Sequence, residues 1–397
     1  MDAITLKPYQ QKTKEETITR LLRGEQALIG YEMGLGKTFT SLSVGLELLE
    51  SNRIARIMVC APASLLPNWV ESAERVGVCI CTHSYDCRTP PIIDEDYLII
   101  LDESQCIKNR QSARWKRLRP ALLKTSFRIL LSGTPMPNKP VELFTQLQLL
   151  GMKHSWTYFT TRFCDGHYSF IWVGGRRKKI WDTSGASHID ELKCLLWERG
   201  VTFLSKEEVM TDLPPLKHYV HWVPRTSKGR KRQRGSVIEY ATTLVVERIA
   251  NAHVWAKVVE LCKAEPRTII FAKHVEIANH LETITCAAHI ETTTITGASD
   301  VKRRQGMLNT AARLGHVAIC SVGAVSTGFN ATQFTQLVFV ESSWSAGDRM
   351  QCEARIHRIG QTHECSAHYV FMKGTIDDRL WKTLLRKGTT ISNVHAR

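Results

Sequence analysis

The sequence contains no run of about 18 apolar residues, so no membrane span is predicted. Its first residues lack the basic region followed by a long apolar one that marks a secretory signal. The 12 cysteines are scattered singly, without the dense spacing of a disulfide scaffold, which favours a reducing cytosol. The one local group, Cys79, Cys81, His83 and Cys87, has no second ligand pair at zinc-finger spacing, so we predict no metal there.

Acidic side chains are also in short supply. Lys and Arg number 53 against 38 Asp and Glu, which gives a net charge of +15. This excess favours a polyanionic partner, a nucleic acid first and an acidic membrane surface second. A basic protein without such a partner remains an alternative. At 397 residues, 43% of them hydrophobic, the chain is too long for one ordinary core, so we expect more than one domain.

The stretch from Gly30 to Thr38 reads Gly-Tyr-Glu-Met-Gly-Leu-Gly-Lys-Thr. It lies between a short apolar run, residues 27–29, and a segment with apolar residues at helical spacing. A strand, a glycine-rich turn and a helix in this order bind the phosphates of a nucleotide, with Lys37 on the terminal phosphates and the Thr38 hydroxyl on Mg²⁺. The strict pattern has glycine where this chain has Tyr31, so an ordinary glycine-rich turn is the alternative.

A second apolar stretch, residues 97–101, is followed directly by Asp102 and Glu103. Two carboxylates at the end of a buried strand are costly unless they are solvated, paired or bound to a cation. Beside a phosphate loop, Asp102 would bind Mg²⁺, and Glu103 would orient and deprotonate the attacking water. A solvated strand end is the alternative.

Two basic stretches are candidates for contact with a nucleic acid. A hairpin is predicted to turn at Gly174-Gly175, with a basic tip between aromatic residues. Its Arg176 and Lys178 could contact a phosphate backbone or could simply be solvated. A linker candidate contains Arg230 and Arg232 at an apparent domain boundary, where nucleic-acid contact and solvation are both open.

Strand and helix patterns alternate again from residue 267 onward, which predicts a second α/β domain without a phosphate loop. Arg355 and Arg358 are three residues apart, so on a helix they would share a face. Two guanidinium groups on one face could bind a transferring phosphoryl group supplied by another domain. A basic surface helix is the alternative.

Taken in order, these stretches resemble helicase superfamily 2, in its Swi/Snf-type branch of double-stranded-DNA translocases. The ending of one motif, residues 357–361, is typical of this branch, and residues 184–192 with 212–215 further resemble its annealing-helicase subgroup. The family usually has His where this chain has Gln105, and paired arginines where this chain has Phe203 and Leu204. The motifs that carry the resemblance are residues 6–10, 32–38, 61–69, 83–86, 102–103, 131–135, 321–330 and 351–361.

The resemblance implies an α/β fold with two RecA-like parallel-sheet lobes in tandem and a small helical and hairpin insertion between them. We predict a first, ATP-binding lobe over residues 1–150 and an insertion over residues 151–223. A basic linker and helix over residues 224–265 would lead to the second lobe, residues 266–397.

The resemblance also implies roles for individual residues, with ATP and Mg²⁺ as cofactors. Glu103 and Lys37 would be catalytic, with Arg355 and Arg358 as arginine fingers from the second lobe. Thr38 and Asp102 would hold Mg²⁺. The residues expected to bind ATP are Gln10, which would contact adenine, Gly34, Gly36, Lys37, Thr38, Asp102 and Gly328. The residues expected to contact DNA are Ser64, Trp69, Ser84, Tyr85, Arg176, Lys178, Arg230, Arg232, Ser321 and Thr327.

The expected activity is ATP-dependent translocation on double-stranded or branched DNA, with movement along, remodelling or annealing of the DNA, by a monomer. One alternative is a strand-separating DNA or RNA helicase, and another is a branched-DNA-binding module with weak ATPase activity. The short sequence is typical of a phage or bacterial protein, which would act in the cytoplasm. A eukaryotic protein of this type would be nuclear. The sequence does not identify protein partners.

Overall fold

The computed structural model describes residues 5–210, 212–226, 244–297, 299–321, 329–341 and 346–395. The chain divides into two compact units, residues 1–211 and residues 212–386, and residues 387–397 are grouped with the first. Each unit contains one six-stranded sheet in which every neighbouring pair of strands is parallel. The predicted fold class, two α/β lobes with parallel sheets, is confirmed.

The first sheet has the C-terminal ends of all its strands at one edge, its carboxyl edge. Its strands are β1 (Ala27–Tyr31), β2 (Arg56–Ala61), β3 (Cys81–Ser84), β4 (Tyr97–Leu101), β5 (Arg128–Leu131) and β8 (Val201–Leu204). They lie in the order β3-β2-β4-β5-β1-β8. All residues of β1, β4 and β5 are buried, as is usual for parallel strands covered on both faces. Because the strands are parallel, the turns after β1, β4 and β5 leave the sheet at the same edge.

Helices cover the faces of this sheet. Apolar side chains of the first three, among them Leu21, Leu42 and Trp69, pack in one core cluster with β1 and β4. Short 3₁₀ turns occur at Ala63–Leu65, Ser104–Ile107 and Pro140–Leu143. The helices are α1 (Pro8–Leu22), α2 (Lys37–Glu50), α3 (Leu66–Val76), α4 (Ala113–Leu122), α5 (Phe144–Leu149), α6 (Trp156–Phe163), α7 (Ile189–Glu198) and α8 (Lys206–Val209).

A separate hairpin is formed by β6 (His167–Val173) and β7 (Arg176–Asp182), which pair antiparallel. Gly174 and Gly175 make the two-residue turn, with φ values of 56° and 77°. Tight hairpin turns of this kind need positive φ at both central residues, which glycine adopts without strain. The hairpin predicted from the sequence is therefore confirmed.

The second unit repeats the architecture of the first. Its strands lie in the order β11-β12-β10-β13-β14-β9, and apolar clusters cover both faces of the sheet. Within the described ranges, no helix is both long and apolar enough to cross a membrane. The strands are β9 (Leu216–Val223), β10 (Thr268–Ala272), β11 (Thr292–Ile295), β12 (Val317–Ser321), β13 (Gln336–Phe339) and β14 (Cys365–Met372). The helices are α9 (244–249), α10 (Ala252–Ala264), α11 (Val275–Ala287), α12 (Val301–Leu314), α13 (Ala346–Ile356) and α14 (Ile376–His395).

Two strands in the stretch predicted as an insertion, residues 151–223, belong to the sheets instead. Strand β8 pairs with β1 in the first sheet, and β9 pairs along its whole length with β14 in the second. Both are edge strands that mix buried with solvent-facing residues, so their sequences lack the continuous apolar run of a central strand. The other predicted domain boundaries stay predictions.

Candidate functional site

The turn between β1 and α2 is shaped by two glycines with positive φ, Gly34 at 92° and Gly36 at 81°. A Cβ atom on Gly36 would lie only 2.2 Å from Nε2 of Gln10, so the Gln10 amide would have to move away from this turn. The first N–H groups of a helix have no partner within the helix, and the helix dipole makes this end attractive to an anion. The start of α2 therefore has the form of a phosphate-binding turn.

Strand β1 continues through Tyr31, where the strict phosphate-loop pattern has glycine. The Tyr31 hydroxyl donates a hydrogen bond to the carbonyl oxygen of Tyr9 at 3.3 Å, and burial raises the pKa of Tyr31 to about 12. The glycine one residue earlier, Gly30, has a packing role, since a Cβ atom there would lie 2.7 Å from Cδ1 of Phe203 on β8. The turn therefore begins one residue later than in the strict pattern.

Gln10 fastens this turn to α1. Its Nε2 donates to the carbonyl oxygen of Leu35 at 3.1 Å, and its Oε1 accepts from the backbone N–H of Lys7 at 2.8 Å. The hydroxyl of Tyr9 donates to the same Leu35 oxygen at 3.1 Å. The adenine contact expected for Gln10 stays a prediction, because its amide is engaged here with the protein itself.

Lys37, the first residue of α2, lies beside the two predicted carboxylates. Its Nζ donates to the carbonyl oxygen of Tyr31 at 2.8 Å. Burial lowers the pKa of Lys37, and the negative charges of Glu103 and Asp102 oppose that shift. The structure therefore brings the lysine and the two carboxylates into one site.

Asp102 directly follows β4 and is held from several directions. Trp69 Nε1 donates to its Oδ2 at 2.8 Å, and the Glu103 backbone N–H donates to its Oδ1 at 2.9 Å. The Tyr85 hydroxyl donates to the Asp102 carbonyl oxygen at 2.7 Å. Burial and then the charge of Glu103 raise the pKa of Asp102 to about 6, against the Trp69 hydrogen bond and the Lys37 charge. A bound cation would relieve this crowding of carboxylates.

The roles of Trp69 and Tyr85 differ from those expected. Their exposed fractions are 2% and 1%, so neither side chain can stack on DNA or bond to it. The predicted DNA contact of these two side chains is wrong, because both face inward to support Asp102. Ser64, in the turn after β2, and Ser84, the last residue of β3, are half-buried and stay predicted DNA contacts.

Glu103 is connected by hydrogen bonds to the turn that follows β5. Gln105 Nε2 donates to Oε2 of Glu103, and Gln105 Oε1 accepts from the Ser132 hydroxyl at 2.6 Å. The Thr134 backbone N–H in turn donates to the Ser132 oxygen at 3.1 Å. An amide can donate at one end and accept at the other, so Gln105 bridges the two groups.

The two predicted arginine fingers do not share a helical face. Arg355 lies in α13, and its guanidinium is 5.8 Å from the centroid of the Phe329 ring. Arg358 follows the end of α13, so the expectation of one common helical face is wrong. At the end of α13, Gln361 Nε2 donates to the Ile356 carbonyl oxygen at 3.1 Å, one of the carbonyls that have no partner within the helix. Burial lowers the pKa of Arg358.

The other predicted contacts divide into two groups. Ser321 is the half-buried last residue of β12, and Arg176 and Lys178 are exposed on β7. The remaining predicted residues lie outside the described part of the chain, and they are Arg230, Arg232, Thr327 and Gly328.

Comparison with known proteins adds two family matches and several relatives. The SNF2-related domain matches residues 76–265, and the helicase conserved C-terminal domain matches residues 253–360. Over residues 76–360 the chain is therefore similar to these two domains. Over 437 residues it is 26% identical to the DNA annealing helicase and endonuclease ZRANB3 of Bos taurus, an alignment covering 96% of this chain and 40% of that protein.

A second relative comes from Drosophila melanogaster. It is the SWI/SNF-related matrix-associated actin-dependent regulator of chromatin subfamily A-like protein 1, 28% identical over 98% of this chain and 56% of its own length. The chain thus spans about half the length of such relatives, or less. Among solved structures, the Sulfolobus solfataricus SWI2/SNF2 ATPase core in complex with dsDNA is similar, with a TM-score of 0.47 and 19% identity over 98% of this chain and 93% of that one.

One contact of the site has no signal in the sequence. Lys206 of α8, only 3% exposed, places its Nζ 2.9 Å from Oε1 of Glu32, the first residue of the phosphate-binding turn. The Lys206 backbone N–H also donates to Oε2 of Glu32 at 2.9 Å. These residues are 174 positions apart, and only the pairing of β8 with β1 brings them together.

Proposed function

We propose that the chain is an ATP-dependent double-stranded-DNA translocase that couples ATP hydrolysis to movement along DNA, or to its remodelling or annealing. The proposal rests above all on the meeting of Lys37, Asp102 and Glu103 at the carboxyl edge of the first sheet. The net charge of +15 supports a polyanionic partner. The relatives' names, with DNA annealing helicase among them, support DNA as that partner.

The residues at the carboxyl edge fit ATP and Mg²⁺. The glycine turn and the start of α2 suit phosphate oxygens, and the Lys37 amine lies at the same place. The Asp102 carboxylate and the Thr38 hydroxyl are oxygen donors of the type that Mg²⁺ takes. When bound, ATP supplies the phosphoryl group, and Mg²⁺ neutralises its developing charge.

The proposed mechanism gives each side chain a distinct task. Lys37 binds the terminal phosphates, and Asp102 is oriented for the metal by its bond from Trp69. The hydrogen bond from Gln105 engages Oε2 of Glu103, so we assign acceptance of the water proton to Oε1. Arg355 and Arg358 are proposed as arginine fingers, which are typically worth ~10³ or more in rate.

The same proposal links hydrolysis to DNA through the turn after β5. A hydrogen-bonded path runs from Glu103 through Gln105 to Ser132. A change in the hydrogen bonds of Glu103 would therefore shift Gln105 and, through it, Ser132. Movement of the turn after β5 would likewise reorient Glu103. Ser64 lies in the turn after β2, Ser84 is the last residue of β3, and both are proposed to contact the DNA backbone.

The test is ATPase activity of the purified chain with four nucleic acids in a salt series. The four are linear duplex DNA, forked DNA, single-stranded DNA and RNA. We expect duplex-containing DNA to stimulate turnover more than single strands do, with stimulation falling steeply as salt rises. Absence of any stimulation by DNA would overturn the proposal.

Two further assays separate the competing activities. Displacement of a strand from a tailed duplex would favour a strand-separating helicase. Tight binding of branched DNA with negligible turnover, with and without DNA, would favour a binding module with weak ATPase activity. We expect neither result.

A further inference from the structure

The β6–β7 hairpin is fixed at its base and exposed towards its turn. Trp181 Nε1 donates to the Thr160 hydroxyl at 3.0 Å, and the Trp181 ring meets the Tyr168 ring edge-on with centroids 5.0 Å apart. A Cβ atom on Gly166 would lie 2.9 Å from the Trp181 ring, so the hairpin packs closely where it leaves α6. This anchoring presents the distal part of the hairpin in a defined orientation.

The strand register sorts the distal side chains onto two faces. Phe170 lies opposite Lys179, and Trp172 lies opposite Arg177. Because side chains alternate along a strand, these four share one face with Tyr168. We call Tyr168, Phe170, Trp172, Arg177 and Lys179 the aromatic face. The basic residues predicted from the sequence to contact DNA, Arg176 and Lys178, lie on the opposite face with Ile171.

The aromatic face presents large rings to solvent. Tyr168 is 62% exposed, Phe170 is 53% exposed and Trp172 is 75% exposed. A cation lies over each of the first two rings, with Lys179 Nζ 3.8 Å from the Tyr168 centroid and Arg177 Cζ 3.8 Å from the Phe170 centroid. Three exposed rings close together form an apolar patch on the surface, and such patches are typical of binding sites.

The charge on this surface has one sign. The charged side chains of the aromatic face are Arg177 and Lys179, whereas the one acidic residue of the hairpin, Asp182, lies at its base and on the opposite face. The aromatic face has no carboxylate of its own to neutralise these two cations, so an anionic group of a ligand is their natural partner. Rings that alternate with cations match the alternation of bases and phosphates in a nucleic acid strand.

We propose that the aromatic face binds unpaired nucleotides of DNA at the point where a duplex opens into single strands. The inference rests on the proposed function and names the DNA structure that the translocase would engage. Base faces are hidden within a duplex, so exposed rings gain stacking contacts only from unpaired bases. Arg177 and Lys179 would meanwhile bind the phosphates of the same strand.

The test measures the affinity of the full chain, without nucleotide, by fluorescence anisotropy. The probes are a blunt DNA duplex, the same duplex with two unpaired arms, and the isolated arm strand. The double substitution Phe170→Ala with Trp172→Ala is expected to weaken binding of the forked and single-stranded probes about tenfold or more, because each lost stacking contact is costly. Binding of the blunt duplex is expected to change little.

Ile171→Ala is the matched control. It removes an apolar side chain from the same strand but from the opposite face, and it should leave the preference for forked over blunt DNA in place. A photoreactive 5-iododeoxyuridine in the arm should crosslink to the peptide that contains Phe170 and Trp172. Thermal unfolding of both variants checks that the chain still folds.

Several outcomes would overturn the inference. Equal loss of affinity for blunt and forked DNA would indicate that the aromatic face binds the phosphate backbone whether or not the bases are paired. Unchanged affinity for all DNA probes would exclude nucleotides as the occupant. A loss confined to single-stranded RNA, or to vesicles of phosphatidylcholine and phosphatidylserine, would assign the aromatic face to that partner instead.

Failure of this inference can be told apart from failure of the proposed function. Stimulation of the unaltered chain's ATPase by blunt duplex DNA tests the translocase alone, because blunt DNA offers the aromatic face no unpaired arm. A chain that is stimulated by blunt DNA, but whose double variant keeps the preference for forks, would remain a translocase without this contact.

Discussion

The side-chain amide of Gln105 donates a hydrogen bond to the carboxylate of Glu103. At its other end the same amide accepts from the Ser132 hydroxyl at 2.6 Å. An imidazole, which the family usually has at this position, could make both contacts but would also titrate near neutral pH. A side-chain amide is neutral and does not titrate near neutral pH. The hydrogen bonds that Gln105 makes to Glu103 and Ser132 therefore do not depend on the protonation of the residue that connects them.

Replacing Gln105 with alanine is expected to lower kcat for ATP hydrolysis about tenfold or more, as loss of an orienting partner typically does. The KM for ATP should change little, because Gln105 contacts Glu103 and Ser132 rather than the phosphate-binding turn. Steady-state kinetics with duplex DNA would measure both constants. Gln105→His, which can restore both hydrogen bonds, should recover most of the rate. A rise in KM without a fall in kcat would contradict the positioning role.

Lys37→Ala is expected to abolish hydrolysis, since no other residue supplies a positive charge from the start of α2. Glu103→Gln should still bind ATP but turn it over very slowly, because an amide cannot accept the proton of the attacking water. Nucleotide binding and turnover should be measured separately, with Lys12→Ala on the exposed surface of α1 as a lysine control. Near-normal turnover in either variant would refute the assigned roles.

The phosphate loop and the Asp102-Glu103 pair could be predicted because their signals are local. A short apolar run predicts a buried strand. The residues that follow it, Gly-Leu-Gly-Lys-Thr in one case and two carboxylates in the other, predict a glycine-rich turn or a pair of acidic side chains at the end of that strand. Parallel strands then place both features at one edge of the sheet. This reasoning needs no knowledge of which distant residues touch.

Contacts between distant residues could not be predicted in the same way. Trp69 is on an amphipathic helix, and only the packed structure shows that its indole turns inward to Asp102. The Glu32–Lys206 pair depends on which strand lies beside β1. Gln361 donates to the last carbonyl of α13 from five residues away, a contact that depends on how the chain turns after the helix. Each of these is decided by tertiary packing and leaves no periodic trace in the sequence.

The Arg248–Asp377 ion pair in the second unit is expected to be critical for folding. Its atoms lie 2.6 Å apart, and each side chain is only 1% exposed. Asp377 Oδ2 also accepts from the Met372 backbone N–H at 2.9 Å. Asp377→Ala would leave a buried guanidinium unpaired, so we expect the free energy of unfolding to fall by about 3–5 kcal/mol.

Urea unfolding would measure this loss. Glu260→Gln breaks the ion pair with Lys257, in which the Glu260 side chain is 64% exposed, and it serves as the matched control. Solvated ion pairs contribute little, so this control should unfold at nearly the same urea concentration as the unaltered chain. Similar midpoints for the two variants would show that the buried pair does not hold the second unit together.

The second unit should also lose stability in mild acid because of His368. Its Nδ1 lies 2.9 Å from Nε2 of His221, and the two rings are stacked with centroids 5.2 Å apart. Burial, followed by the nearby charges of His221 and Lys257, lowers the pKa of His368 from 6.5 to about 4. Between these two values the unfolded chain binds a proton that the folded chain does not, so stability is full above pH 6.5 and falls as the pH decreases towards 4.

At pH 5 the loss expected from His368 is on the order of 2 kcal/mol relative to neutral pH. His368→Asn removes the titrating group and keeps an amide that can bond to His221, so its unfolding free energy should depend less on pH than that of the unaltered chain. Urea unfolding at several values between pH 7.5 and pH 5 would measure the difference. The same substitution at His253, which is exposed, controls for the change of residue itself. If His368→Asn and the unaltered chain lose stability in parallel, the histidine pair does not account for the sensitivity to acid.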